Sequence, residues 1–249
     1  MGNLSGIGRI FYGIAIAAMG FLTLYYADFP YMLIPPKHLW MNDHLVLVYI
    51  SGVLLFLAGA CIVFGKYLVS VSLLLGSGLL LVFCFYFIPY EFEASSRYMH
   101  FGAWENAAKE LALSGGAFVI AGCFSNKKES VFGTILFSLT IISFSIDHFI
   151  YGKEAAGYIP SWIPNHVFWI YFAGVALLGS GIGILFGIRP RLMAALLGAM
   201  ILIWVIILHI PKAIASPDGD KGGEVTSAFL ALAYCGIAFV IAGAGKKRG

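Results

Sequence analysis

Most of the chemistry open to this chain is carried by six histidines, His38, His44, His100, His148, His166 and His209. Imidazole exchanges protons near neutral pH and ligates metals through a neutral ring nitrogen. Among them stand the acids Asp28, Glu91, Glu93 and Asp147, and Glu105 precedes Lys109 by one helical turn. Three uses are open to His44, His148, His166 and His209 together with Asp147. They could hold copper or zinc, although no H-x-x-H or H-x-x-x-H pair fixes two ligands on one helix. They could hydrogen-bond the carbonyls of a quinone whose tail lies among aromatics, an acid and a histidine moving protons. Or they could satisfy helix ends and dock a partner subunit, with Glu105 and Lys109 paired only to each other.

Whatever these groups do, membrane helices must position them. The 249 residues are 61% apolar and 11% charged, whereas soluble domains run near a quarter charged. Apolar runs of roughly 20 residues, the length that crosses a bilayer, occur near 6–27, 44–64, 68–88, 104–124, 131–151, 166–187, 192–210 and 226–244. The reading is an all-α polytopic bundle of eight transmembrane helices. No leader with a cleavage site is expected, so the first run is expected to remain as a span. Arg9, Lys66, Lys127, Lys128, Arg189, Arg191, Lys246, Lys247 and Arg248 fall on one side with the single acid Glu129; the remaining bases and acids fall on the other. The positive-inside rule then places both termini in the cytoplasm. All six histidines map to the opposite, outer side. No basic patch with interleaved aromatics suggests nucleic acid.

An internal repeat organises the helices. Adding 122 carries His44 onto His166, Tyr49 onto Tyr171, Gly52-Val53 onto Gly174-Val175, Gly59 onto Gly181, Phe64-Gly65 onto Phe186-Gly187, Gly76 onto Gly198 and Ile88-Pro89 onto Ile210-Pro211. Two four-helix repeats, 1–125 and 126–249, are expected to run parallel about a pseudo-twofold axis along the membrane normal. His44 and His166 would flank that axis, which raises haem as a further option. Outer connections 28–43, 89–103, 152–165 and 211–225 are long and rich in Pro and aromatics, including Trp162 in Pro160-Ser161-Trp162-Ile163-Pro164. Proline is expected to stop the preceding helices there and fold the segment over the bundle mouth. Gly179, Gly183 and Gly187, four apart, and Ala112-x-x-x-Gly116 read as close-packing faces. Cys61, Cys84, Cys123 and Cys235, each alone in an apolar run, read as buried thiols.

Asp147-His148-Phe149, then Pro160-Ser161-Trp162-Ile163-Pro164, then Tyr171-Phe172-Ala173-Gly174-Val175 resembles the DoxX-like family of small four-helix membrane proteins. So does Trp104-Glu105-Asn106-Ala107-Ala108-Lys109-Glu110-Leu111 leading into Gly115-Gly116. Each half resembles one family unit. The resemblance implies a redox-associated subunit beside respiratory or sulfur-linked electron transfer. One departure stands out: where relatives carry an acid after the Tyr-x-x-Gly of the second helix, Val53-Leu54-Leu55 and Val175-Ala176-Leu177 are apolar.

The ligand-binding candidates are thus Asp147, His148, His166, His209, Trp162, Tyr171, His44, Glu105 and Lys109. No catalytic residue and no metal site is assigned, and a quinone is placed ahead of metal or haem. The expected setting is the bacterial inner membrane, in contact with the bilayer and with a membrane or envelope protein partner. The other reading is a non-catalytic scaffold or small-molecule binding protein that stabilises a partner complex.

Overall fold

In hydrocarbon a backbone can satisfy its N–H and C=O groups only internally, and uninterrupted apolar runs do so as helices. A computed structural model describes residues 3–30, 33–34, 45–93, 100–125 and 127–244. Across them run eight helices long and apolar enough to span a membrane: α1 (Asn3–Tyr26), α2 (Leu45–Phe64), α3 (Leu68–Glu93), α4 (Phe101–Phe124), α5 (Lys127–Ile150), α6 (His166–Leu185), α7 (Pro190–Ala215) and α8 (Gly223–Gly243). The protein is an all-α integral membrane protein. His38 and His44 lie outside the described residues.

Packing follows the repeat. Helix α1 lies against α2, α2 against α3 and α3 against α4; in the same order α5 lies against α6, α6 against α7 and α7 against α8. The ring closes through α4 on α5 and α8 on α1, and α4 touches α8 across its middle. Two lobes result, α1 to α3 and α5 to α7, sharing the central pair α4 and α8. The covalent halves therefore interlock. The first lobe is completed by α8 and the second by α4.

The repeat reaches single residues. Gly65 and Gly187 adopt φ of 70° and 71° in the tight turns before α3 and α7, and Tyr67 and Arg189 follow at 50° and 46°. A Cβ on Gly236 would meet Gly8 O and Tyr12 N, while one on Gly115 would meet Gly133 O and Phe137 N. This pairs Gly8 with Gly133 and Tyr12 with Phe137. Further along, Ser114 Oγ donates to Gly76 O at 2.8 Å and Cys235 Sγ to Gly198 O at 3.3 Å. Position for position, the same joints are built twice.

Pro89 and Pro211 do not end their helices. Each is preceded by a widened π turn, Phe83–Phe87 and Val205–His209, and α-helix resumes over Ile88–Glu93 and Ile210–Ala215. Ile88 N–H bonds to Phe83 O and Ile210 N–H to Val205 O, five residues back. Widening the turn absorbs the proline ring and its missing donor without a break. The outer connections after α3 and α7 are correspondingly shorter than the sequence suggested. Between α5 and α6 a short helical segment brings Ala156, Ile159 and Ile163 onto Ile170, with Trp204 and Ile207 of α7 alongside.

Two packing expectations are corrected. A Cβ on Gly179 or Gly187 would meet nothing within 4 Å, and one on Gly183 would meet mainly the flexible side chain of Met193. The tight faces instead hold the repeated glycines: Gly59, where backbone of α1 leaves no room for a Cβ, and Gly181, where a Cβ would meet the β-branched Ile142 side chain of α5. The cysteines also divide: Cys235 is buried, Cys61 and Cys123 are half-buried, and Cys84 is exposed.

At the loop-rich end Lys221 pairs with Asp28, and Tyr26 Oη donates to Asp218 Oδ1 at 2.9 Å. The hydrogen bond and charge of Asp28 raise the Lys221 amine above its ordinary 10.5. A raised lysine contributes its stabilisation below the unfolded-chain value and loses it as pH rises through the folded one. Melting temperatures of wild type and Lys221→Ala are therefore expected to differ slightly at pH 8 and to converge above pH ~11.

Candidate functional site

Asp147 and His148 occupy the last turn of α5 at the loop-rich end. The neighbouring end of α4 supplies Glu105 and Lys109, the π turn of α7 supplies His209, and α8 supplies Tyr234. Lys109 Nζ lies 2.7 Å from Glu105 Oε1 and donates to Asn106 Oδ1 at 3.1 Å. His148 Nδ1 meets Phe144 O at 2.7 Å. A carbonyl only accepts, so Nδ1 carries the hydrogen and Nε2 of the neutral ring is left as an acceptor.

What distinguishes this cluster is how much of it has no partner. Both carboxyl oxygens of Asp147 are shielded from solvent and make no hydrogen bond among the described residues, and neither does the Tyr234 hydroxyl. Buried polar atoms almost always find partners, because an orphan costs roughly 1–3 kcal/mol. The charges of Glu105 and Lys109 act on Asp147, that of Glu105 on His148, those of Glu105 and Glu110 on Tyr234, and those of Lys109 and Lys212 on His209. The Tyr234 ring lies 5.8 Å from Phe144, whose carbonyl holds His148. These side chains form one electrostatic neighbourhood in the second lobe.

At the positions equivalent to this cluster the first lobe carries no charged or imidazole side chain. Thr23 stands where His148 does, its Oγ1 donating to Met19 O four residues back at 2.9 Å. Buried Leu22 precedes it in the place of Asp147. Phe87 fills the last position of the π turn that His209 fills in α7, and it is 1% exposed. Leu113 of α4 answers Tyr234 of α8. The sequence repeat puts Phe29 near the place of His148; the glycine joints move that register to Thr23. Nor does the second half hold the site alone, since Glu105 and Lys109 come from α4.

The other candidates are placed elsewhere. His166 opens α6 after Asn165, whose φ is 58°, and with Ser161, Ile163, Pro164, Val167 and Phe168 it lines an open cleft of about 780 Å³. Trp162 is 70% exposed. Tyr171 stacks on Phe149 with ring centroids 6.2 Å apart. Among the described residues no hydrogen bond, ion pair or ring contact joins these three to Asp147, His148 or His209. His44, and with it the haem pair, lies outside the described residues. Among the described residues no group of three His, Cys, Asp or Glu side chains is arranged to hold a metal ion.

Two polar residues escaped the sequence reading. Tyr234 passed for one aromatic among many. Glu110 is only 1% exposed, with Oε2 lacking a hydrogen bond among the described residues. It shares a helix face with Ser114 and Ala117, which turn toward Gly76 of α3, and its charge acts on both Tyr12 and Tyr234, so it stands between the two lobes. Its signal was available, since no base lies three or four residues away in an otherwise apolar run and an unpaired intramembrane acid is a functional candidate by default.

Comparison with known proteins gives no match to a family model, a curated sequence or a solved structure.

Proposed function

We propose that the second lobe binds the polar head of a lipophilic carbonyl-bearing ligand, an isoprenoid quinone, and that the protein is a redox-associated membrane subunit of the DoxX-like kind. The observation that carries this is the orphaned set: Asp147 Oδ1 and Oδ2 and the Tyr234 hydroxyl, beside His148 Nε2 and His209, at positions where the first lobe has Leu22, Leu113, Thr23 and Phe87. A quinone carbonyl accepts hydrogen bonds, which the Tyr234 hydroxyl and the Lys109 ammonium can give. Reduction of a quinone takes two electrons and two protons. Electrons come from a partner subunit, while Asp147, His148 and His209 hold and pass the protons. The family resemblance and the doubled four-helix unit support the same reading. The described bases Arg9, Lys66, Lys127, Lys128, Arg189 and Arg191 gather at the end opposite the site, which supports cytoplasmic termini and a site at the outer leaflet of a bacterial inner membrane. The second reading, a scaffold that stabilises a partner complex, is favoured by the mutual pairing of Glu105 and Lys109.

Protein purified in mild detergent is expected to yield near-stoichiometric isoprenoid quinone on organic extraction, read by lipid mass spectrometry. His209→Phe is expected to keep the fold, because Phe87 already fills the equivalent turn, and to lower quinone content at least tenfold. Wild-type protein that retains no quinone after supplementation overturns the redox reading and leaves the scaffold.

A further inference from the structure

At the basic end of α5 a surface groove of about 350 Å³ is lined by Lys127, Lys128, Val131, Phe132 and Ile135. The spacing 128, 131, 132, 135 sets these side chains along one helix face. Val131, Phe132 and Ile135 are all exposed, and Phe132 packs edge-on against Phe118 of α4 with centroids 5.1 Å apart. In a membrane-spanning chain such a face is covered by lipid acyl chains, so the tail of the occupant follows from the fold. The headgroup follows from what caps the groove.

Lys127 and Lys128 are both exposed at that end. Glu129, the acid beside them, shares a face with Gly133, which is pressed onto Gly115 of α4, so it turns away from the groove. The equivalent stretch of α1 isolates the lysines as the distinctive feature. There Ile7 and Ile10 form the same exposed apolar face, but Asn3 stands in place of Lys128.

We infer that this groove is a binding site for one anionic phospholipid, with an acyl chain along Val131, Phe132 and Ile135 and the headgroup phosphate between Lys127 and Lys128. Basic side chains just outside the hydrocarbon attract anionic headgroups, whereas a zwitterionic headgroup carries its own compensating cation. The site lies at the end of the molecule opposite the orphaned cluster and does not depend on that cluster's ligand.

Native mass spectrometry of the full-length protein, delipidated and titrated with phosphatidylglycerol or phosphatidylcholine of matched chains, tests the assignment. Phosphatidylglycerol is expected to be retained preferentially in the first bound position. Lys127→Gln/Lys128→Gln is expected to reduce that preference roughly thirty-fold, whereas Lys66→Gln, at the neighbouring turn, leaves it intact. Equal retention of the two lipids by wild type overturns the inference, and so does a wild-type preference that survives in the double variant. Loss of preference in Lys66→Gln as well would replace the site with diffuse attraction to the whole basic end.

Discussion

Gly236→Leu is expected to yield no folded protein, and Gly236→Ala a protein that melts several degrees below wild type, read by fluorescence-detected size exclusion after heating. A Cβ at this position would stand 2.6 Å from Gly8 O and 2.8 Å from Tyr12 N. Both are backbone atoms of α1, so no rotamer change relieves the contact; the helices must part. Overpacking in a close-packed interior costs about 1–3 kcal/mol even where side chains can yield. Parting α1 from α8 also strains the Tyr12 hydroxyl, which donates to Leu113 O at 2.6 Å. Gly179→Ala supplies the contrast. Open space surrounds that position, and helical Gly→Ala is worth about 0.5–1 kcal/mol. It is expected to hold or raise the melting temperature. A milder effect from Gly236→Ala than from Gly179→Ala would refute the joint.

That contrast marks where sequence stops informing. Number of spans, helical class and repeat were legible, because hydropathy over twenty residues and a fixed offset are local properties. Which glycines press on backbone was not. Gly179-x-x-x-Gly183-x-x-x-Gly187 has the better spacing, yet it is Gly59 that presses on the backbone of α1, because packing depends on which face the neighbouring helix occupies. Pro89 and Pro211 read as stops, and a π turn carried the helix through both. Of the cluster, Asp147, His148, Glu105, Lys109 and His209 were visible as polar residues set deep in apolar runs. Tyr234 was not, since an aromatic residue carries no such penalty. The contribution of α4 to the second lobe was hidden for a topological reason: residues of one covalent half complete the lobe of the other.

The duplication also provides a control for function. Asp147→Leu, His148→Thr and His209→Phe together write the first lobe's residues Leu22, Thr23 and Phe87 into the second. Thr at 148 can return its hydroxyl to Phe144 O as Thr23 does to Met19 O. The triple variant also deletes two orphaned carboxyl oxygens, and replacing unsatisfied buried groups by apolar ones of fitting shape is neutral or stabilising. It is expected to melt at or above the wild-type temperature while losing more than tenfold of its bound quinone. Added quinone is expected to raise the melting temperature of wild type only, because a ligand stabilises in proportion to its binding. If the polar cluster were there to hold the helices, the same three changes would lower stability and expose the lobe to proteolysis. The sign of the melting shift therefore separates a site kept polar for a ligand from one kept polar for the fold.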